Sequence, residues 1–175
     1  MSLALVGFMG SGKTTTANQL KNYYKTHKIF SIDEEIEKNN NKSIKDIFKI
    51  HGENYFRTLE NKTIESIIIN NKNCILDLGG GAFIQECNRL LLKEKNIKTI
   101  FLDVPFEEIC RRLENQYRIR PMLGEKNWKE NAKNLFEYRY NFYKKADLII
   151  KIKENCDSKF ITKEIIELIE QKHII

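Results

Sequence analysis

Two kinds of apolar pattern alternate along the chain. Short, largely apolar runs occur at Leu3-Ala4-Leu5-Val6, Ile29-Phe30-Ser31-Ile32, Cys74-Ile75-Leu76-Asp77-Leu78, Lys98–Leu102 and Leu148-Ile149-Ile150. Such runs suit strands buried on both faces of a parallel sheet. Between them, apolar residues recur at helical spacing: Ala17, Leu20 and Tyr24; Phe56, Leu59, Thr63, Ile64 and Ile67 between about Glu53 and Asn70; Ile161, Ile165, Leu168 and Ile169 within Ser158–Lys172. Further helices are predicted over Glu34–Lys38, Glu86–Glu94, Pro105 to Leu113 and Trp128–Lys145. A short helix with Ile47 and Phe48 opens on Ser43-Ile44-Lys45-Asp46, which resembles a capping box, and stops at Gly52. Strands alternating with helices predict an α/β fold built on a parallel sheet.

The first strand and first helix are joined by Gly7-Phe8-Met9-Gly10-Ser11-Gly12-Lys13-Thr14, the pattern G-x-x-x-x-G-K-[ST] in the context it requires. Its glycines permit backbone angles and a close approach that a Cβ forbids. The loop N–H groups, with the helix N-terminus, can then cradle a polyphosphate. Lys13 reaches the β- and γ-phosphates, and the Thr14 hydroxyl is the expected Mg²⁺ ligand. The prediction is a three-layer P-loop NTPase fold that binds a nucleoside triphosphate and Mg²⁺.

In such a sheet the loops after the strands build the site. Asp33, after the second strand, is read as an acceptor for a substrate hydroxyl, a group near Mg²⁺, or equally the N-cap of the helix that follows. Asp77, closing the third strand, stands where an acidic partner for Mg²⁺ belongs. Gly79-Gly80-Gly81 follow it and can offer N–H groups to an anion or hydroxyl, or form a plain turn. Arg57 and Glu60 lie three apart on one helix face, so Glu60 either holds the Arg57 guanidinium or makes an ordinary surface pair with it. From Glu114 to Trp128 the pattern breaks into Tyr117-Arg118-Ile119-Arg120-Pro121-Met122-Leu123-Gly124, read as a mobile lid over the phosphates or a surface loop.

Composition narrows the classes. At 175 residues, with no linker or repeat, one domain is expected. No apolar run of membrane-spanning length and no signal peptide is present, so a cytosolic protein is expected. The four cysteines, Cys74, Cys87, Cys110 and Cys156, are scattered and read as reduced thiols; the three histidines form no cluster. The net charge of +6 comes mostly from Lys interleaved with Glu and Asn, which argues against nucleic-acid binding. Arginine is used sparingly, seven residues against 23 lysines, and five of the seven (Arg111, Arg112, Arg118, Arg120, Arg139) fall in one segment, with Arg57 apart. A Lys-preferring chain uses Arg where a planar fork must meet carboxylate or phosphate, which marks these residues as anion contacts.

The absence of an Asn-Lys-x-Asp signature disfavours a GTPase, and a large ATPase needs more chain. The remaining class, a small-molecule kinase, becomes specific in GFMGSGKTT at 7–15, Asp33 in SIDEEIE, SIKDIF at 43–48, GENYFRTLE at 52–60, LGGGA at 78–82, RPML at 120–123 and YRYNFY at 138–143. In these pieces and their order the chain resembles the shikimate kinase family over essentially its whole length. The resemblance implies a nucleoside-monophosphate-kinase-like sheet of order 2-3-1-4-5, with a substrate-binding region at about 33–61 and a lid at about 114–126. It implies transfer of the γ-phosphoryl group of ATP to the 3-hydroxyl of shikimate, on the route to chorismate and aromatic amino acids, by a monomer.

By matching position it implies that Asp33 holds the shikimate hydroxyls and orients or deprotonates the attacking one, and that Arg57, Gly80 and Arg139 bind shikimate with Gly79 and Gly81 beside them. Phe48, Phe56 and Glu60 shape that pocket. Gly10, Ser11, Gly12, Lys13, Thr14 and Thr15 hold the ATP phosphates, Thr14 also ligating Mg²⁺, and Arg120 is the lid arginine that reaches those phosphates, with Arg112 also serving the nucleotide. The family carries Asp-x-Asp after the second strand where this chain has Ser31, and Asp77 is expected to supply the missing charge. The region Lys151-Ile152-Lys153-Glu154-Asn155 departs from the family's adenine loop, and Lys153 and Asn155 are the expected adenine contacts. A related gluconate kinase, or a nucleotide-binding module without turnover, are the competing readings.

Overall fold

Five parallel strands, β1 (Leu3–Val6), β2 (Lys28–Ser31), β3 (Cys74–Asp77), β4 (Lys98–Asp103) and β5 (Leu148–Lys151), lie side by side in the order β2-β3-β1-β4-β5. This arrangement comes from a computed structural model, which describes residues 2–114, 117, 122–124, 126–153 and 156–171. The order is the one the sequence resemblance implies. β1 is central because all four of its residues are apolar and can be covered on both faces; Leu3, Ala4, Leu5 and Val6 are at most 1% exposed. Its register pairs Leu5 with Asp77 of β3 and with Ile100 of β4. β5 alternates buried and exposed residues, the mark of a strand at the sheet edge.

Seven α-helices among the described residues flank the sheet: α1 (Lys13–Tyr23), α2 (Ile32–Asn40), α3 (Ile44–Asn70), α4 (Glu86–Glu94), α5 (Phe106–Leu113), α6 (Trp128–Tyr143) and α7 (Ser158–Gln171). Buried Ala17 and Leu20 of α1 and Ile161, Ile165 and Ile169 of α7 face the core. Gln19 joins the two helices, donating to Ser158 Oγ at 2.6 Å and accepting from Thr162 Oγ1 at 2.7 Å. No described helix is long and apolar enough to cross a membrane.

Two boundaries differ from the sequence expectation, and both bear on function. Strand β2 ends at Ser31, and Ile32 already belongs to α2. Ser31, not Asp33, is the N-cap: its Oγ accepts from Glu34 N at 3.4 Å. A hydroxyl can cap where the chain leaves the sheet, and this places Asp33 in the first helical turn. The short helix and the long one after it also meet without a loop. They form α3, bent at Gly52, where φ is 79° and ψ 176°. That conformation is essentially restricted to glycine, so the bend is written into the residue type.

Candidate functional site

The carboxyl ends of β1, β2 and β3 deliver the phosphate loop, Ser31 with Asp33, and Asp77 with Gly79–Gly81 to one edge of the sheet. Two cavities open there. One, of about 680 Å³, is lined by Met9 to Thr16, Asp33, Asp77, Gly79, Gly80 and Arg112, and extends to Cys156, Asp157 and Ser158. In it the Lys13 ammonium donates to Gly7 O and Phe8 O, each at 3.1 Å, so the loop is closed on its own lysine. The buried Ser11 hydroxyl has no hydrogen-bond partner among the described residues. Thr14 Oγ1 donates to Asp77 Oδ2. Asp77 is register partner to Ser31 on β2, so these two positions stand side by side facing the loop.

The second cavity, of about 640 Å³, is lined by Asp33, Phe48, Phe56, Arg57, Glu60, Gly79, Gly80, Gly81 and Arg139, with Met9 and Met122. Its floor is set by α3. Phe56, Glu60, Ile64 and Ile67 form the buried stripe of that helix, so a carboxylate occupies an apolar position. Glu60 is fully buried, and its Oε2 accepts from Arg57 Nη1 at 2.9 Å. Arg57 is also bound by Glu53 at 2.9 Å and lies 5.2 Å from the Phe56 ring centroid. The ion pair is therefore not the surface pair that the spacing left open. Burial pushes the Glu60 carboxyl up to about 7 against the pull of Arg57, with Asp33 adding to the rise and Arg139 opposing it. Burial also works against the Arg57 charge, but Glu60 and Glu53 outweigh it and raise its pKa.

The glycine run is shaped by these side chains. A methyl group on Gly81 would overlap Arg57 Nη2 and lie 2.5 Å from its Cζ, so the guanidinium packs on a backbone that only glycine leaves open. A methyl group on Gly79 would lie 2.8 Å from both Asp33 Oδ1 and Glu60 Oε1, which locates two converging carboxylates above it. Glu60 Oε1 has no hydrogen-bond partner among the described residues. Arg139 is buried on α6, with its guanidinium carbon 6.0 Å from the Phe8 ring centroid. A methyl group on Gly80 would lie 3.3 Å from Arg139 Nη1. Tyr143, one turn further along, donates to Gly80 O and is hydrogen-bonded with Arg139. Burial pushes its hydroxyl up to about 12, so it is a neutral donor holding the glycine run.

The structure thus brings together the loop residues Gly10 to Thr15, Asp33, Asp77, Arg57, Glu60, Gly79 to Gly81, Phe48, Phe56, Arg112 and Arg139. Lys153 is exposed and does not line the phosphate-loop cavity, whose far wall is instead Cys156, Asp157 and Ser158. Arg120, with its neighbours Arg118, Ile119 and Pro121 in the expected lid, and Asn155 lie outside the described residues. The sequence alone gives Tyr143 no role, although it lies four residues after Arg139 and so shares its helix face.

A polyphosphate loop beside a second cavity with two arginines and an aspartate is what a small-molecule kinase requires. Comparison with known proteins agrees. The family model for shikimate kinase matches residues 9–170. A shikimate kinase of Dictyoglomus turgidum is 39% identical over 169 residues, covering 95% of each chain. One of Persephonella marina is 42% identical over 149 residues, covering 85% of this chain and 87% of that one. Among solved structures, shikimate kinase from Acinetobacter baumannii in complex with shikimate superposes with a TM-score of 0.90 at 29% identity, covering 98% of this chain and 93% of that one. The chain belongs to the shikimate kinase family.

Proposed function

We propose that the chain transfers the γ-phosphoryl group of ATP to the 3-hydroxyl of shikimate, giving shikimate 3-phosphate and ADP. One observation carries the reading: the phosphate-loop cavity and the arginine-lined cavity share Met9, Asp33, Gly79 and Gly80. A phosphoryl group leaving the loop enters the second cavity there, beside the Asp33 carboxylate. The family relationship supports ATP and shikimate as the two substrates.

In this reading Arg57 and Arg139 clamp the shikimate carboxylate, the Arg57 fork being held in plane by Glu60 and Glu53. Gly80 offers its N–H, and Phe48 and Phe56, with ring centroids 4.8 Å apart, close the apolar wall. Asp33 accepts from the attacking hydroxyl and orients it in line with the γ-phosphorus, taking up its proton as the bond forms. Lys13 leaves its loop carbonyls for the phosphates, and Arg112 borders them. Arg120 is assigned to the ATP phosphates from its place in the sequence. Thr14 and Asp77 are hard oxygen donors already in contact at the loop, and they fit Mg²⁺, which keeps most of its shell for water and phosphate oxygens. When bound, Mg²⁺ neutralises charge on the β- and γ-phosphates. The reading is of a monomer acting in the cytosol.

The test is ADP release by purified protein with ATP and Mg²⁺, with and without shikimate, and with gluconate as control. Stimulation by shikimate alone is expected. ATP binding with no stimulation by shikimate would overturn the Arg57–Arg139 clamp. Replacing Arg57 or Arg139 by Ala should chiefly raise KM for shikimate, whereas Arg120→Ala should chiefly lower kcat; equal kcat losses in all three contradict this division. Asp77→Asn should shift the Mg²⁺ concentration for half-maximal rate upward, and an unchanged requirement removes Asp77 from the metal site.

A further inference from the structure

Helix α5 packs its C-terminal turn onto the phosphate loop. A methyl group on Gly10 would lie 3.3 Å from Leu113 Cγ and 3.7 Å from Ile109 O, so helix and loop are in direct contact. On the same helix Glu108 is only 4% exposed, although it is a carboxylate. It is saturated by arginine. Its Oε2 accepts from Arg111 Nε at 2.9 Å, and its Oε1 from Arg111 Nη2 at 2.9 Å and Arg112 Nε at 2.7 Å.

The two arginines differ in what lies beyond Glu108. The Arg111 side chain is 62% exposed, whereas Arg112 is 26% exposed and lines the phosphate-loop cavity. Arg112 Nη1 donates to Gly10 O at 3.2 Å, and a methyl group on Gly12 would lie 3.7 Å from the same nitrogen. The guanidinium is therefore fixed at two edges, by the buried carboxylate through Nε and by the loop backbone through Nη1. A planar group held at two points has one orientation, and a side chain with several rotatable bonds otherwise loses that freedom when a ligand binds.

We propose that Glu108 is a positioning residue for the nucleotide, holding the Arg112 guanidinium against the phosphate loop before ATP arrives. The inference rests on the reading of this cavity as the ATP site and adds a residue that touches neither substrate. Arg111 shares the Glu108 carboxylate and keeps its charge compensated, but does not reach the cavity wall.

The experiment compares Glu108→Gln, Arg112→Ala and the double variant, with Arg111→Ala as control, by steady-state kinetics and by calorimetric titration of ADP. Glu108→Gln should raise KM for ATP and weaken ADP about tenfold, the scale of one charge-assisted hydrogen bond. KM for shikimate and kcat should stay within about twofold. The double variant should be no worse than Arg112→Ala, because Glu108 acts through Arg112. Arg111→Ala should leave ADP affinity unchanged. Multiplicative losses in the double variant, or a parallel loss of kcat and of both KM values together with a lowered Tm, would overturn the proposal in favour of a structural ion pair. Should Glu108→Gln not fold, Glu108→Asp keeps the charge but draws it back by one methylene, and unchanged ADP affinity there overturns the proposal equally. Failure of the wild-type chain to bind ADP at all would instead remove the ATP reading, a different outcome from wild-type binding that Glu108 does not influence.

Discussion

At the scale of single residues, the arginine-lined cavity is governed by close contacts between arginine and glycine. Because a Gly81 Cβ would sit 2.5 Å from Arg57 Cζ, Gly81→Ala should push the guanidinium off its seat without disturbing the sheet. A rise of about tenfold in KM for shikimate is expected, with KM for ATP nearly constant; unchanged KM for shikimate would place the carboxylate elsewhere. Glu60 makes a different prediction. Its carboxyl is raised from 4.5 to about 7 by burial, so below pH 4.5 it is neutral in both states and adds no charge-burial cost. As pH rises towards 7 the unfolded chain has already lost this proton while the folded chain still holds it, and stability is lost across that window. Glu60→Gln should therefore gain stability relative to the wild type between pH 5 and pH 8 in urea melts. A pH-independent difference between the two would contradict the buried, raised carboxyl. Both residues are visible in the sequence, as a glycine run and an arginine–glutamate spacing. That Glu60 fills the apolar stripe between Phe56 and Ile64 follows from its spacing of four on either side, but a charge at that position argues equally for a surface face, and the sequence alone leaves the two open.

At the scale of elements, the sheet is legible in the sequence because its central strands β1, β3 and β4 are short apolar runs with both faces covered, and the helices because their stripes are regular. Boundaries are less so where one residue serves two elements. Ser31 ends β2 and caps α2, so its polarity cannot tell strand from cap. Gly52 has the look of a helix stop, and its φ of 79° does interrupt the helix, yet the two halves continue on either side. Nothing lies within 4 Å of a Cβ there, so Gly52→Ala meets no steric obstacle, only the backbone penalty. The variant should be destabilised by about 1–3 kcal/mol if the bend persists. If the bend instead relaxes, Ile44 and Phe48 move away from the arginine-lined cavity and KM for shikimate rises. Denaturant melts with substrate kinetics separate the two, and a variant equal to wild type in both would show that the bend is not required.

At the scale of the whole molecule, the order β2-β3-β1-β4-β5 brings groups from distant parts of the chain to one edge. The loop at Gly7 follows β1, Asp33 follows β2, and Asp77 ends β3 with Gly79 to Gly81 after it, while Arg139 reaches the same edge from α6. This convergence is inferable because ligands in open α/β sheets sit beyond the carboxyl ends of the strands. The wall of the phosphate-loop cavity at Cys156–Ser158 is not, since no periodicity or motif in that stretch marks it. Asp33 stands where the two cavities join and lines both of them. Its proposed part is to orient and deprotonate the attacking hydroxyl, a contribution realised in the transition state rather than in binding nucleotide. Asp33→Asn should accordingly lower kcat by about 10²-fold or more. The upward shift of Tm produced by a saturating nucleotide should persist, because that shift depends only on affinity for the folded state. Retention of kcat would deny Asp33 its place at the reacting hydroxyl. Loss of the nucleotide shift as well would instead make it part of the phosphate-loop scaffold, for which its seat in the first turn of α2, outside the loop, gives no reason.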